Sequence, residues 1–128
     1  MRAAIGIGIG VLATIAWVTP NFAADPGERC SPCYGTGGYD EGSGNTPIAW
    51  NYDTQEEADK AAMKGCPACK IVIRFGPKKC AAIAVALTAK IFGVASGSTT
   101  DEVKDAAVAD CKKNGASICI VHNAECNL

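Results

Sequence analysis

The sequence predicts an α+β fold in which two pseudo-repeated β(β)αβ units form one mixed or antiparallel sheet, with two helices on one face and disulfide staples throughout. Three observations carry that prediction. Eight cysteines fall in 128 residues. A helix signature ending in cysteine occurs twice. Short β-branched or apolar runs stand between and after the two copies.

The first segment is a leader. Met1-Arg2 gives a positive start, Ala3–Val18 is apolar apart from Thr14, and Pro20-Asn21 break the run before the small pair Ala23-Ala24. That order is the pattern of a secretory signal peptide, and the apolar run is shorter than the ~20 residues of a membrane span. Cleavage near Ala23 is expected, which leaves no membrane span and places the mature chain in the periplasm or outside the cell. Residues 24–45 then read as a Gly- and Tyr-rich loop, and 46–128 as a duplicated domain with units of about 46–79 and 80–128.

The duplication is read directly from the residues. Thr54, Glu57, Ala58, Ala61, Ala62 and Cys66 recur as Thr99, Glu102, Val103, Ala106, Ala107 and Cys111, at a constant offset of 45 (Thr54 to Thr99). Thr54 with Glu57, and Thr99 with Glu102, form capping boxes that satisfy the orphan N–H groups of a helix start. The small residues that follow lie at helical spacing, so each helix presents a face that can approach a sheet closely. In order, the expected elements are a strand after Thr46, the first helix, a strand over Cys69–Phe75 stopped by Gly76-Pro77, and a strand over Cys80–Leu87. A turn at Thr88-Ala89, a strand over Lys90–Ser96, the second helix and a last strand over Ile118–His122 complete the chain. The first unit has one strand fewer than the second.

Eight cysteines in an exported chain are read as disulfides, because a domain of this size buries too little surface to dispense with covalent staples easily. Repeat symmetry suggests Cys66–Cys80, Cys111–Cys126, Cys69–Cys119 and Cys30–Cys33, and an alternative ties the N-terminal pair to the body of the domain. The motifs Cys30-Ser31-Pro32-Cys33 and Cys66-Pro67-Ala68-Cys69 also invite thiol exchange. However, Cys66 sits at a helix C-terminus, where the dipole disfavours a thiolate, and Cys30 precedes no helix. The spacing between the two pairs exceeds that of a zinc ribbon, and no metal or other cofactor is expected.

The helix pattern ending in cysteine, the C-x-[IV]-V strand after it and Cys80-Ala81-Ala82-Ile83-Ala84 resemble the domain of unknown function 4189 family over roughly Pro47–Cys126. The family consists of small secreted bacterial proteins, among them a mycobacterial secreted effector. The resemblance implies an α+β fold of two similar halves and no established enzymatic activity. The chain departs from the family pattern in front, where Cys30–Gly44 replaces an aromatic-rich first strand.

Function follows by elimination. Twelve basic and thirteen acidic residues give a formal charge of -1, with no footprint for nucleic acid or an anionic membrane. The single histidine, His122, has no serine or acid in a recognised catalytic motif, and no serine lies in a G-x-S-x-G elbow. Asp40-Glu41-Gly42-Ser43-Gly44-Asn45 fails the spacing of a calcium loop. No catalytic residue is assigned. Tyr34, Tyr39, Trp50 and Tyr52, interleaved with glycines, have the composition of a recognition surface and are the candidate partner-binding residues. The expectation is a secreted, disulfide-stabilised binding or effector module for a protein or envelope component. The alternatives are an extracytoplasmic thiol–disulfide exchange protein and a structural envelope protein.

Overall fold

The computed structural model describes residues 21–23 and 30–128. The leader read over residues 1–23 lies outside the described residues except for its last three. The elements are β1 (Asn21–Ala23), β2 (Tyr34–Tyr39), β3 (Ile48–Tyr52), α1 (Gln55–Gly65), β4 (Lys70–Phe75), β5 (Cys80–Ala86), β6 (Phe92–Gly97), α2 (Thr100–Lys113) and β7 (Cys119–Cys126).

Both helices start as their capping residues dictate. Thr54 Oγ1 accepts from the Glu57 amide at 3.1 Å, and Thr99 Oγ1 accepts from the Glu102 amide at 3.2 Å. Two acidic residues in each first turn and lysines in each last turn complement the helix dipole. The buried face of α1 is Ala58 and Ala62, and that of α2 is Val103, Ala107 and Cys111. Ala106, expected on the packed face, is exposed.

The strands form two sheets, ordered β1-β3-β2-β4 and β6-β5-β7. Apart from the parallel β1–β3 pair, every pairing is antiparallel. Each half is therefore ββαβ with its first strand central. α1 packs on the first sheet, α2 packs on the second, and the sheets face each other between them. A pseudo-two-fold relation links the halves, because β3 lies against β7 and β4 against β6, each pairing a half's second strand with the other half's third.

The α+β class holds, but the single sheet expected from the sequence is two. The reason lies in β5, whose Cys80, Ala82 and Ala84 pack on Val103, Ala107 and Cys111 of α2. Its Ala81 and Ile83 pack instead on Ile48 and Phe75 of the first sheet. A strand buried on both faces reads as a continuous apolar run, which carries no sign of a second layer.

The loop expected over residues 24–45 is likewise corrected, because Tyr34–Tyr39 is the strand that the first half was thought to lack. Glycine is disfavoured in strands on propensity. Here the space requires it: a Cβ on Gly35 would collide with the Phe75 ring, and one on Gly37 would meet Ile73 Cγ2 at 2.9 Å and Ile83 Cδ1 at 3.1 Å.

The cysteines pair as Cys30–Cys33, Cys66–Cys69, Cys80–Cys126 and Cys111–Cys119. The expected bridges Cys66–Cys80, Cys111–Cys126 and Cys69–Cys119 do not form. Cys66 and Cys69 face each other across the turn leaving α1, with Cα atoms 5.4 Å apart, within bridging reach. Cys111 meets the first residue of the next strand in the same way, so the repeat symmetry survives in a different pairing. Cys80 opens the second half rather than closing the first, and it stands directly opposite Cys126 in the β5–β7 ladder.

Candidate functional site

The site is built where β2 leaves its sheet. After Tyr39 the chain makes a tight turn closed by the Asp40–Asn45 bridge. Asp40 organises it: one carboxylate oxygen accepts from the Gly42 amide at 3.2 Å and the other from Ser43 Oγ at 2.7 Å. Those bonds, led by Ser43, hold the Asp40 carboxyl below its ordinary value. Gly44 adopts φ 79°, the left-handed conformation that glycine tolerates best. The Sγ of Cys69 lies 4.0 Å from the Asn45 carbonyl oxygen, which sets the Cys66–Cys69 staple beside the turn.

Between turn, staple and β6 lies a cleft of about 140 Å³, lined by Tyr39, Asp40, Glu41, Ala68, Lys70, Val72 and Phe92. Its wall is aromatic. Tyr39 is 9% exposed and its ring packs on Phe92 of the other half, with centroids 4.6 Å apart and planes inclined by 31°. Burial first, then the charges of Glu41 and Asp40, push the Tyr39 phenol above its ordinary value, so it stays protonated and able to donate a hydrogen bond. Asp40 and Glu41 carry negative charge on one rim, and Lys70 carries positive charge on the β4 side.

The four aromatic residues expected on one recognition surface are not brought together. Tyr39 lines the cleft, while Trp50 packs against the core between the sheets. Tyr34 and Tyr52 are register partners of β2 and β3, both half-buried. Burial, followed by the Glu57 charge, pushes the Tyr52 phenol up. The sequence offered no signal for Phe92, Lys70 or Val72, which reach the cleft only because the two sheets stack.

A polar network joins α1 to its sheet. Thr36 Oγ1, fully buried, donates to Asp59 Oδ1, and Gln55 Nε2 donates to Thr36 Oγ1 at 2.7 Å and to the Gly35 carbonyl at 2.9 Å. Arg74 grips the same carboxylate through Nε and Nη2 at 3.0–3.1 Å. Burial raises the Asp59 carboxyl, but hydrogen bonds from Arg74, Thr36 and Gln55, with the Arg74 charge, hold it below the ordinary value on balance.

His122 is the extra residue of a bulge in β7, where Ile83 pairs with Asn123 and Ala84 with Val121. Its Nδ1 shares a 2.9 Å hydrogen bond with the buried Thr46 Oγ1, and Asn123 Nδ2 donates to the Thr46 carbonyl at 2.7 Å. These contacts tie the halves together, and the Thr46 hydroxyl that meets the ring is fully buried. Cys66 caps the C-terminus of α1, and both Cys66 and Cys69 are 4% exposed. Among the described residues, no group of three or more His, Cys, Asp or Glu is placed to hold a metal.

The architecture defines a class: a disulfide-stapled α+β module of two stacked ββαβ halves. The family model named Domain of unknown function (DUF4189) matches residues 34–126, and the chain belongs to that family. The match begins at the first residue of β2, the strand that composition concealed. No curated protein and no solved structure matches the chain. Its disulfides are compatible with an extracytoplasmic setting. Among the described residues, no helix is long and apolar enough to cross a membrane.

Proposed function

We propose that the protein is exported, loses a leader near Ala23, and acts in the periplasm or outside the cell as a binding or effector module for a protein or envelope component. The observation that carries this reading is the cleft at Tyr39 and Phe92. Pockets for small-molecule substrates commonly enclose roughly 300–1,000 Å³, and this one encloses about 140 Å³. It suits one side chain of a larger partner, apolar along its length and with a hydrogen-bonding or cationic tip for Asp40 and Glu41. The Cys66–Cys69 bridge stands beside the cleft as a staple, and its two residues, each 4% exposed, offer little access for thiol exchange.

The test is affinity capture from envelope and host fractions with the wild type, a Val72→Arg variant that fills the cleft and a Lys104→Glu control on the exposed side of α2. A partner retained by wild type and control but lost by Val72→Arg supports the reading, provided circular dichroism shows all three folded. Retention of the same partner by Val72→Arg removes the cleft from consideration. Reductase activity with insulin would move the assignment to thiol–disulfide exchange.

A further inference from the structure

The two halves manage their outer sheet edges in opposite ways. In the second sheet the outer edge is β6, and α2 closes it. Asp110 Oδ2 accepts from the outward amide of Val94 at 3.0 Å, and Asn114 Nδ2 donates to the outward carbonyl of Phe92 at 2.8 Å. A neighbouring strand finds those ladder positions already satisfied, as proteins that protect their edges require. In the first half the repeat counterpart of Asp110, at the same offset that relates Thr54 to Thr99, is Gly65, which has no side chain. Asn114 caps the longer α2, and α1 already ends at Gly65. The carboxylate that closes β6 is thus missing at β3, and that edge carries a strand instead: Asn21, Phe22 and Ala23 pair in parallel with Ile48, Ala49 and Trp50.

We propose that the outer edge of β3 is a strand-acceptor site, held in the precursor by Asn21–Ala23 and vacated when the leader is removed, that takes an extended peptide segment of a partner protein in parallel register. The mode is strand addition, in which main-chain hydrogen bonds provide affinity for any extended segment that fits the edge. Parallel register matters, because two copies of this chain pairing their β3 edges about a two-fold axis would run antiparallel. The site is thus built for a different chain rather than a second copy. The vacated state rests on the export reading given above, whereas the acceptor edge rests on Gly65, Asp110 and the observed pairing.

The experiment uses the processed protein recovered from exporting cells. Intact mass reads its N-terminus, and amide hydrogen exchange is followed across Ile48–Trp50 and at Val94 with and without a synthetic peptide of residues 19–24 (TPNFAA). The expected result is a chain starting after Ala23, monomeric, whose outward β3 amides exchange quickly and slow about tenfold once the peptide exceeds its Kd about tenfold. Val94 stays protected throughout. A mature chain that retains Asn21–Ala23 overturns the opening step and the leader reading, but leaves the peptide result to be judged separately. Outward β3 amides that are protected without peptide, amides that the peptide leaves unprotected, or a dimer closed through β3 each overturn the acceptor site. Gly65→Asp supplies the missing carboxylate: it is expected to slow those amides without peptide and to abolish the peptide effect. Should that variant fail to fold, the wild-type titration alone decides.

Discussion

The two halves share one topology and fill it differently. Where α2 lies on its sheet, Val103, Ala107 and Cys111 meet Cys80, Ala82 and Ala84, and polar bonds from Asp110 and Asn114 are confined to the edge strand β6. Where α1 lies on its sheet, the buried Ala58 and Ala62 are accompanied by a hydrogen-bonded network of Thr36, Gln55, Asp59 and Arg74 that reaches the central strand β2. The staples differ as well. The bridges of the first half close separations of 3 residues each, whereas those of the second close 46 and 8. At the end of the ladder where the second sheet has Cys80–Cys126, the first has Gly35 opposite Phe75, with the Phe75 ring filling the space above the glycine. The second half is cross-linked by its longer-range bridges around an apolar seam; the first adds hydrogen bonds at the middle of its sheet. A duplicated fold therefore constrains topology and helix starts far more tightly than it constrains the means of cohesion.

The largest test of that contrast removes staples. Replacing Cys80 and Cys126 together by alanine opens a loop of 46 residues and is expected to cost about 4 kcal/mol in urea denaturation. Replacing Cys66 and Cys69 opens a separation of 3 and is expected to cost about 1.6 kcal/mol. Equal losses would contradict the asymmetry.

Next in size is Gly93→Ala, expected to cost about 3 kcal/mol by the same measurement, since the added Cβ would strike the backbone of α2 at Cys111 and Ala107. A neutral result would show that α2 can lift away from β6 without penalty.

Asp59→Ala removes the acceptor of the buried Thr36 hydroxyl proton, leaving only the bond from Gln55, and is expected to cost about 1–3 kcal/mol. Lys104→Ala, at the repeat-equivalent position on exposed α2 surface, is expected to change stability by less than about 0.5 kcal/mol.

The smallest effect is a pH dependence. The folded Asp59 carboxyl titrates below its unfolded value, so its contribution is complete above the unfolded pKa of about 3.9 and is lost as pH falls through the folded pKa. The stability gap between wild type and Asp59→Asn should therefore narrow as the solution is acidified below about pH 4. A gap that stays constant would show that the charge on Asp59 is not what the network uses.

Much of this was legible in the residues. Thr54 and Thr99 announced both helices, because a capping box is local chemistry, and Gly76-Pro77 ended β4 for the same reason. The bridges were not legible, since Cys80 finds Cys126 through the register of β5 and β7, and register is a tertiary fact. Tyr34–Tyr39 escaped notice because its glycines answer to the Phe75 and Ile73 side chains above them rather than to strand propensity. The cleft escaped for a related reason. Tyr39 and Phe92 are far apart in sequence and belong to different sheets, so only the stacking of the halves makes them neighbours. The last strand, expected to stop at His122, runs on to Cys126, so His122 lies within β7, where its bond to Thr46 joins the halves.

Every disulfide lies within one half, and none crosses between them. The halves are covalently joined only through the exposed turn at Gly76-Pro77-Lys78-Lys79. They meet otherwise through Ile48, Phe75, Ala81 and Ile83, the Tyr39–Phe92 ring pair and the Asn51–Asn127 and Thr46–His122 bonds. A single cut after Lys78 would thus convert the molecule into a two-piece protein, whose fragments travel together in native buffer and part in urea with all sulfur bridges intact.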